Sequence, residues 1–139
     1  MVAHRSIAAR AFTLIELIAV IVVLAILSGV AIPKYFDYTA NAKASSTKGT
    51  LGGVRSAIAN FYGNSAVSGA AAYPTLVQLS TSGTVMQEPI AANPYNNDAT
   101  VVAATWAASP PVAGTNGWAY DATSGHFWAN SSGVGENLW

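Results

Sequence analysis

The sequence predicts an α+β protein: a long N-terminal α-helix, transmembrane in its first half, packs by its second half against a small antiparallel β-sheet head. Two observations predict this class. Residues 12–32 form an unbroken apolar run with a single charge, and residues 63–139 are rich in small, polar and turn-forming residues with scattered aromatics. The first pattern is typical of a membrane-spanning helix, and the second of short strands joined by turns.

The overall composition limits the chain to one modest domain and indicates a membrane segment. Of its 139 residues, 52% are hydrophobic and only 9% are charged, which is too apolar for disorder and unusual for a soluble domain of this size. The sequence contains no cysteine. That absence excludes a disulfide framework and a thiolate nucleophile.

The positive charges are confined to the first part of the chain. All six Lys and Arg residues occur by position 55, and the charged residues after Ser56 are acidic: Glu88, Asp98, Asp121 and Glu136. A surface without cations has nothing to neutralise phosphate. We therefore expect no nucleic-acid binding by this chain alone.

The apolar run of residues 12–32 is long enough to cross a membrane. As a helix it spans about 30 Å, the thickness of a bilayer core. Arg5 and Arg10 precede it, which predicts a cytoplasmic N-terminus and an exported remainder. A secretory signal cleaved near residues 29–31 and an ordinary signal anchor are alternatives, but neither accounts for Glu16. Because a carboxylate costs about 2.5–3.5 kcal/mol at the bilayer centre, an acid that becomes paired in an assembly is the better explanation.

The start of this run carries a resemblance to a known family. Residues 10–17, Arg-Ala-Phe-Thr-Leu-Ile-Glu-Leu, resemble the prepilin peptidase site of type IV pilins and type II secretion pseudopilins, and the similarity covers residues 10–34. It implies that residues 1–11 are a leader, that the cut follows Ala11, and that Phe12 becomes an N-methylated N-terminus. The family most often has glycine before the cut, so alanine there predicts slower processing rather than its loss.

The same resemblance assigns roles to two residues of the helix. It implies that Glu16 pairs with the N-terminal amine of an adjacent subunit and that Pro33 ends or loosens the first helical stretch. Pairing would offset much of the desolvation of both charges and favour one axial stagger between subunits. Small residues along the run, which allow helices to approach closely, are Ala19, Ala25, Ser28, Gly29 and Ala31.

Residues 34–62 are predicted to continue the helix as an amphipathic segment that packs on the head. Apolar residues recur there at helical spacing, at Leu51, Val54, Ile58 and Phe61. Pro33 and the glycines at positions 49, 52 and 53 are expected to soften the helix. The Gly-Asn-Ser sequence at residues 63–65 is expected to end it.

The head is predicted to contain three short strands. Residues 100–106 are a strand candidate by their β-branched content. Residues 117–120 and 126–130 flank a turn-rich segment and predict a β-hairpin. Trp118 and Tyr120 share one face of that hairpin, which we expect to lie on the helix.

The sequence shows no catalytic constellation, and we do not expect an enzyme. His126 lies in a predicted strand and is interpreted as a packed or surface residue.

Calcium is the one cofactor considered, because oxygen donors suit it and because major pseudopilins bind calcium in the head. Its candidate ligands are Asp98, Asp121 and Glu136, with Asn96, Asn97 and Asn130 nearby. Their spacing matches no known loop, and solvated turn residues are the competing interpretation.

The head also holds four tryptophans. They are expected in the core or at a subunit interface rather than stacked on sugars, at Trp106, Trp118, Trp128 and Trp139.

The resemblance implies a structural function. The chain is expected in the bacterial inner membrane with a cytoplasmic N-terminus and a periplasmic head, and then in a periplasmic or extracellular helical filament. Implied partners are prepilin peptidase, membrane lipid, an inner-membrane assembly platform and further copies of the chain. Absence of cysteine favours a pseudopilus for protein export, because many pilins close their C-terminal region with a disulfide. A major pilin for adhesion, twitching or DNA uptake is the alternative, and a membrane-anchored sugar- or calcium-binding module is a remote one.

Overall fold

The computed structural model describes residues 12–139, so the predicted leader, including Ala11, lies outside the described residues. In chain order the elements are α1 (Leu14–Val67), α2 (Leu76–Ser80), β1 (Val101–Ala103), β2 (Trp118–Asp121), β3 (His126–Ala129) and a short 3-10 helix (Glu136–Leu138). The chain divides into two compact units, Met1–Thr39 and Ala40–Trp139, with the boundary inside α1. The predicted α+β class is confirmed.

The first unit consists, in its described part, of the N-terminal half of α1. Its side chains from Phe12 to Thr39 are all exposed. Pro33 lies inside α1, and the helix continues past it, so the first helical stretch does not end at Pro33, and its expected loosening there stays a prediction. Proline lacks an N–H, which leaves the carbonyl of Gly29 without its usual donor, but α1 remains helical on both sides of this position.

The second unit begins with the C-terminal half of α1, which buries one face. The buried residues recur every three or four positions: Thr47, Leu51, Val54 and Ile58. The predicted amphipathic face is therefore confirmed, with Phe61 half-buried at its end.

The helix ends later than predicted. It passes through residues 63–65 and stops at Val67, where the N–H of Ala70 donates to the carbonyl of Ser65 and the N–H of Gly69 to that of Ala66. These two bonds, with Gly69 at a φ of 85°, form a Schellman motif. Of the two glycines near this end of α1, Gly63 and Gly69, only Gly69 has the positive φ that the motif requires, so the helix terminates there.

The three strands form one sheet in the order β1-β2-β3. The predicted hairpin is confirmed: β2 and β3 pair antiparallel, with Trp118 opposite Ala129 and Asp121 opposite His126. β1 pairs with β2 in parallel, so the sheet is mixed, where an antiparallel sheet was expected. Residues 104–117 separate these two strands, and such a connection is long enough to return the chain in the same direction.

The core of the second unit lies between α1 and this sheet. Trp118, Tyr120 and Phe127 are almost completely buried in one cluster with the apolar face of α1. Trp118 stacks on Phe127 with ring centroids 5.4 Å apart. The polar ends of the aromatics also find partners, because Trp118 Nε1 donates to the carbonyl of Ala91 and Tyr120 Oη to that of Pro74. Burial, with a smaller effect of the Asp121 charge, raises the pKa of Tyr120 to about 12.

Candidate functional site

The first turn of α1 holds the acid that the sequence singles out. One carboxylate oxygen of Glu16, Oε2, accepts hydrogen bonds from the backbone N–H of Thr13 at 2.7 Å and from its hydroxyl at 2.8 Å. In return the N–H of Glu16 donates to Thr13 Oγ1 at 3.3 Å. This reciprocal arrangement is a capping box, with Thr13 as N-cap and Glu16 at the third helical position. A negative charge at this end of a helix is also favoured by the helix dipole.

The capping box leaves part of the carboxylate free for a further donor. Among residues 12–139, the hydrogen bonds to the Glu16 side chain all fall on Oε2. Oε1 therefore retains lone pairs that an amine from outside the chain can reach. Phe12, immediately before the box, is 91% exposed, so both residues assigned to the assembly end of the helix are accessible.

The surface of α1 around Glu16 is apolar and uncovered. The helix contains an 18-residue stretch with a mean hydropathy of 2.9, none of it buried, and is long and apolar enough to cross a membrane. Large apolar side chains between Phe12 and Ile32 are 41–91% exposed. Gly29 has open space where a side chain would stand, so nothing within the described chain requires a glycine there. A continuous surface of this kind is typical of one that lipid or other helices cover.

The three calcium candidates each serve their own loop. Asp121 accepts from the hydroxyl and N–H of Thr123, from the N–H of Trp106 and from the hydroxyl of Ser124. These bonds, led by the Thr123 hydroxyl, hold the pKa of Asp121 far below its usual value. The carboxylate thus fixes the turn between β2 and β3, where Gly125 N–H also donates to the Asp121 carbonyl at 2.8 Å.

Asp98 and Glu136 are engaged in the same way elsewhere. Asp98 Oδ1 accepts the N–H of Thr100, which is the main reason that the pKa of Asp98 is lowered. Glu136 is fully buried, which raises its pKa, but N–H groups of Val134 and Gly133 donate to its two oxygens and the net pKa is lowered.

The structure does not bring these acids together. Within residues 12–139, no group of three or more His, Cys, Asp or Glu side chains is arranged to hold a metal ion. Local donors already use the carboxylates that were considered as ligands. Calcium binding stays a prediction that nothing in the structure tests.

The remaining candidates fall mostly into the core. Trp118 and Trp128 are completely buried, and Trp106 and Trp139 are half-buried. His126 lies at the exposed start of β3, with its ring stacked on Trp106 at a centroid distance of 4.3 Å and its Nδ1 2.9 Å from Ser124 Oγ. The burial of two tryptophans supports the core interpretation over sugar stacking.

Thr13 is the site residue that the sequence analysis missed. The signal is present, because a threonine followed three residues later by a glutamate just before an apolar run is the sequence signature of a capping box. Glu16 therefore has a partner within its own chain as well as the expected one in a neighbouring subunit.

Comparison with known proteins gives matches that cover part of the chain. The family described as the prokaryotic N-terminal methylation motif matches residues 8–32. The fimbrial protein EcpC of Eikenella corrodens is 38% identical over 58 residues, which cover 42% of this chain and 38% of that protein. The type IV major pilin protein PilE1 of Neisseria gonorrhoeae is 46% identical over 55 residues, covering 40% of this chain and 33% of the relative.

A fimbrial protein of Neisseria meningitidis serogroup B is likewise 46% identical over 55 residues, covering 40% of this chain and 32% of that protein. The matched region thus spans about a third of the length of these relatives. No solved structure matches the chain.

Proposed function

We propose that this chain is a type IV pilin-like protein that serves as a structural, non-catalytic subunit of a membrane-derived filament. The observation that carries the proposal is the N-terminal half of α1: an apolar, fully exposed helix with a single acid in its first turn, inside the region that matches the methylation motif. An apolar surface of this size needs a cover. Lipid supplies that cover before assembly, and the helices of neighbouring subunits supply it afterwards.

Processing prepares the chain for assembly. Prepilin peptidase cuts after Ala11, and Phe12 becomes the methylated N-terminus of the mature chain. The subunit then lies in the bacterial inner membrane with its N-terminus cytoplasmic and Ala40–Trp139 periplasmic, until an inner-membrane assembly platform extracts it. The match of residues 8–32 to the methylation motif and the two arginines before the apolar run support this order of events.

Glu16 sets the register of the filament. Its Oε2 is held by Thr13, and its Oε1 accepts the N-terminal amine of the adjacent subunit. Both charges would be costly if left alone in an apolar environment, and each offsets much of the desolvation of the other when they pair. Because only one axial stagger brings them together, the pair selects that stagger.

Two kinds of filament fit the proposal, each favoured by a different observation. A pseudopilus that drives protein export is favoured by the absence of cysteine. A surface pilus for adhesion, twitching or DNA uptake is favoured by the relatives named as major pilin and fimbrial protein. We place the pseudopilus first.

A comparison of two strains tests whether the chain is a filament subunit and whether the filament is a pseudopilus or a surface pilus. Filaments are sheared or detergent-extracted from cells with and without the gene, and the culture medium of each strain is analysed for secreted proteins. We expect the chain to be the main component of a filament and its deletion to abolish export of secreted proteins. Loss of surface filaments with unchanged export would establish the pilus instead, and a chain absent from every filament fraction would refute the proposal as a whole.

A further inference from the structure

A group of aromatic side chains follows the apolar run directly. Tyr35, Phe36 and Tyr38 lie in α1 within the first unit and are 69%, 66% and 68% exposed. The rings of Tyr35 and Phe36 meet edge to face, with centroids 6.3 Å apart. Three large exposed rings within four residues are best accommodated in an environment that is apolar enough for the ring faces and polar enough for the two phenolic hydroxyls.

The position of these rings along the helix identifies that environment. From Phe12 to Tyr35 the helix rises about 35 Å, and to Tyr38 about 39 Å. The hydrocarbon core is about 30 Å thick and the bilayer with its headgroups about 40–45 Å. If Phe12 marks the inner edge of the hydrocarbon, the rings fall about 5–9 Å beyond its outer edge, and a tilt of about 20° moves them slightly inward. This is the depth of the headgroup layer.

The chemistry of the segment suits that layer. Tyrosine is enriched at membrane–water interfaces, because its ring is apolar and its hydroxyl is polar. Lys34 and Asp37, both exposed, place a cation and an anion among the rings, and a lysine at the end of a span extends its ammonium toward lipid phosphates. Ala40 begins the second compact unit immediately beyond.

We infer that Tyr35, Phe36 and Tyr38 form an interfacial anchor that lies in the headgroup layer on the outer side of the membrane while the subunit is still in the bilayer. The inference rests on the proposed membrane anchoring and specifies how deeply α1 lies in the bilayer. The anchor fixes how far α1 emerges from the bilayer. Glu16 is thereby held at a constant depth near the opposite surface.

Site-directed spin labelling measures this depth. The chain has no cysteine, so a single introduced cysteine gives a unique label. Labels are placed at Val23→Cys in the run, at Thr39→Cys beside the rings and at Ser45→Cys beyond them, all at exposed positions. The full chain is reconstituted in phosphatidylethanolamine–phosphatidylglycerol vesicles. For each spin label, the rate of collision with oxygen, which concentrates in the bilayer, is compared with the rate of collision with a nickel chelate, which stays in water.

We expect oxygen to dominate at Val23, nickel at Ser45, and an intermediate ratio at Thr39. In the Thr39→Cys chain, the triple change Tyr35→Ser, Phe36→Ser and Tyr38→Ser should move the ratio toward that of Ser45. The matched triple change to Trp, which retains the interfacial preference, should leave it in place.

The outcomes separate this inference from the function on which it rests. The anchor would be overturned if the label at position 39 were as accessible to nickel as the label at position 45. It would also be overturned if the triple Ser change did not alter the collision ratio at position 39. A label at Val23 that nickel reaches freely would instead refute the membrane anchoring itself. If the oxygen-to-nickel collision ratio at position 39 became intermediate only in filaments, the rings would contact neighbouring subunits and not lipid. That result would also overturn the anchor.

Discussion

Glu16 Oε2 lies 2.8 Å from Thr13 Oγ1 in the first turn of α1. The acid that the proposal assigns to a contact between subunits is therefore already hydrogen-bonded within its own chain. That bond orients the carboxylate and reduces the cost of keeping it in an apolar setting, because part of its hydrogen-bonding capacity is used. It also leaves Oε1 for the neighbour, so capping and pairing are compatible.

Thr13 should act as a positioning residue for Glu16. Thr13→Val removes the hydroxyl that both donates to Glu16 Oε2 and accepts from its N–H, a loss of about 1 kcal/mol for an N-cap. We expect filament yield per membrane-bound subunit to fall several-fold, while Thr13→Ser, which keeps the hydroxyl, retains it. Equal yields from the Val and Ser variants would show that the hydroxyl has no part in assembly.

The residue at position 11 should control processing. A bulky residue at Ala11 should leave the precursor uncut in the membrane, and Ala11→Gly should be cut at least as fast as the natural sequence. Mass spectrometry of the mature chain should find an N-terminus at Phe12 carrying one methyl group. A mature chain that begins at Ile32 or retains Met1 would contradict this assignment.

Two glycines near the end of α1 should respond in opposite ways to alanine. Gly63 lies within the helix with open space around it, whereas Gly69 has a φ of 85°. Gly63→Ala should stabilise the fold by roughly 0.5–1 kcal/mol through helix propensity, and Gly69→Ala should destabilise it by about 1 kcal/mol because alanine is strained in that conformation. Thermal unfolding of the full chain in mild detergent measures both, and a stabilising Gly69→Ala would mean that the helix does not end in the Schellman motif.

Local patterns made part of this fold predictable. The spacing of Leu51, Val54 and Ile58 gave the buried face of α1, because a helix face depends only on periodicity. The hairpin followed from the turn-forming residues between β2 and β3. The end of α1 was missed because residues 63–69 contain two glycines, and only the bonds of the Schellman motif distinguish them.

Features that depend on distant parts of the chain could not be predicted. The parallel pairing of β1 with β2 depends on the path of residues 104–117, which has no local signature. The acids of the head were grouped by their chemistry alone. Each of them is instead held by N–H or hydroxyl groups near its own loop, and Asp121 also by the distant N–H of Trp106, so chemistry alone could not show that they serve separate loops.

The head should resist acid until well below the usual carboxylate range. Asp121 has a lowered pKa when folded, so its stabilising contribution is complete above its unfolded pKa of about 3.9 and is lost only as pH falls further toward the folded value. Asp121→Asn should reduce the free energy of unfolding by about 2 kcal/mol at pH 7, since bonds to a charged acceptor are weakened. The difference from the natural chain should stay constant above about pH 5 and shrink below about pH 4.

Chemical unfolding of both chains across that pH range measures the effect. His126 contacts the same turn through Ser124, so His126→Gln serves as the matched control, and the low-pH change should persist in it. A difference between the natural and Asp121→Asn chains that is unchanged at low pH would exclude the carboxylate as its source.

The central claim, that Glu16 pairs with a neighbouring subunit, is tested most directly by the filament yield of Glu16→Val relative to membrane-bound subunit. Removing a costly carboxylate should leave membrane insertion intact or improved. Assembly should nevertheless fail or drop sharply, because breaking one side of a buried charge pair costs about 3–5 kcal/mol, and Glu16→Asp should fall between the two. A Glu16→Val chain that is inserted normally and assembles as well as the natural chain would contradict the account.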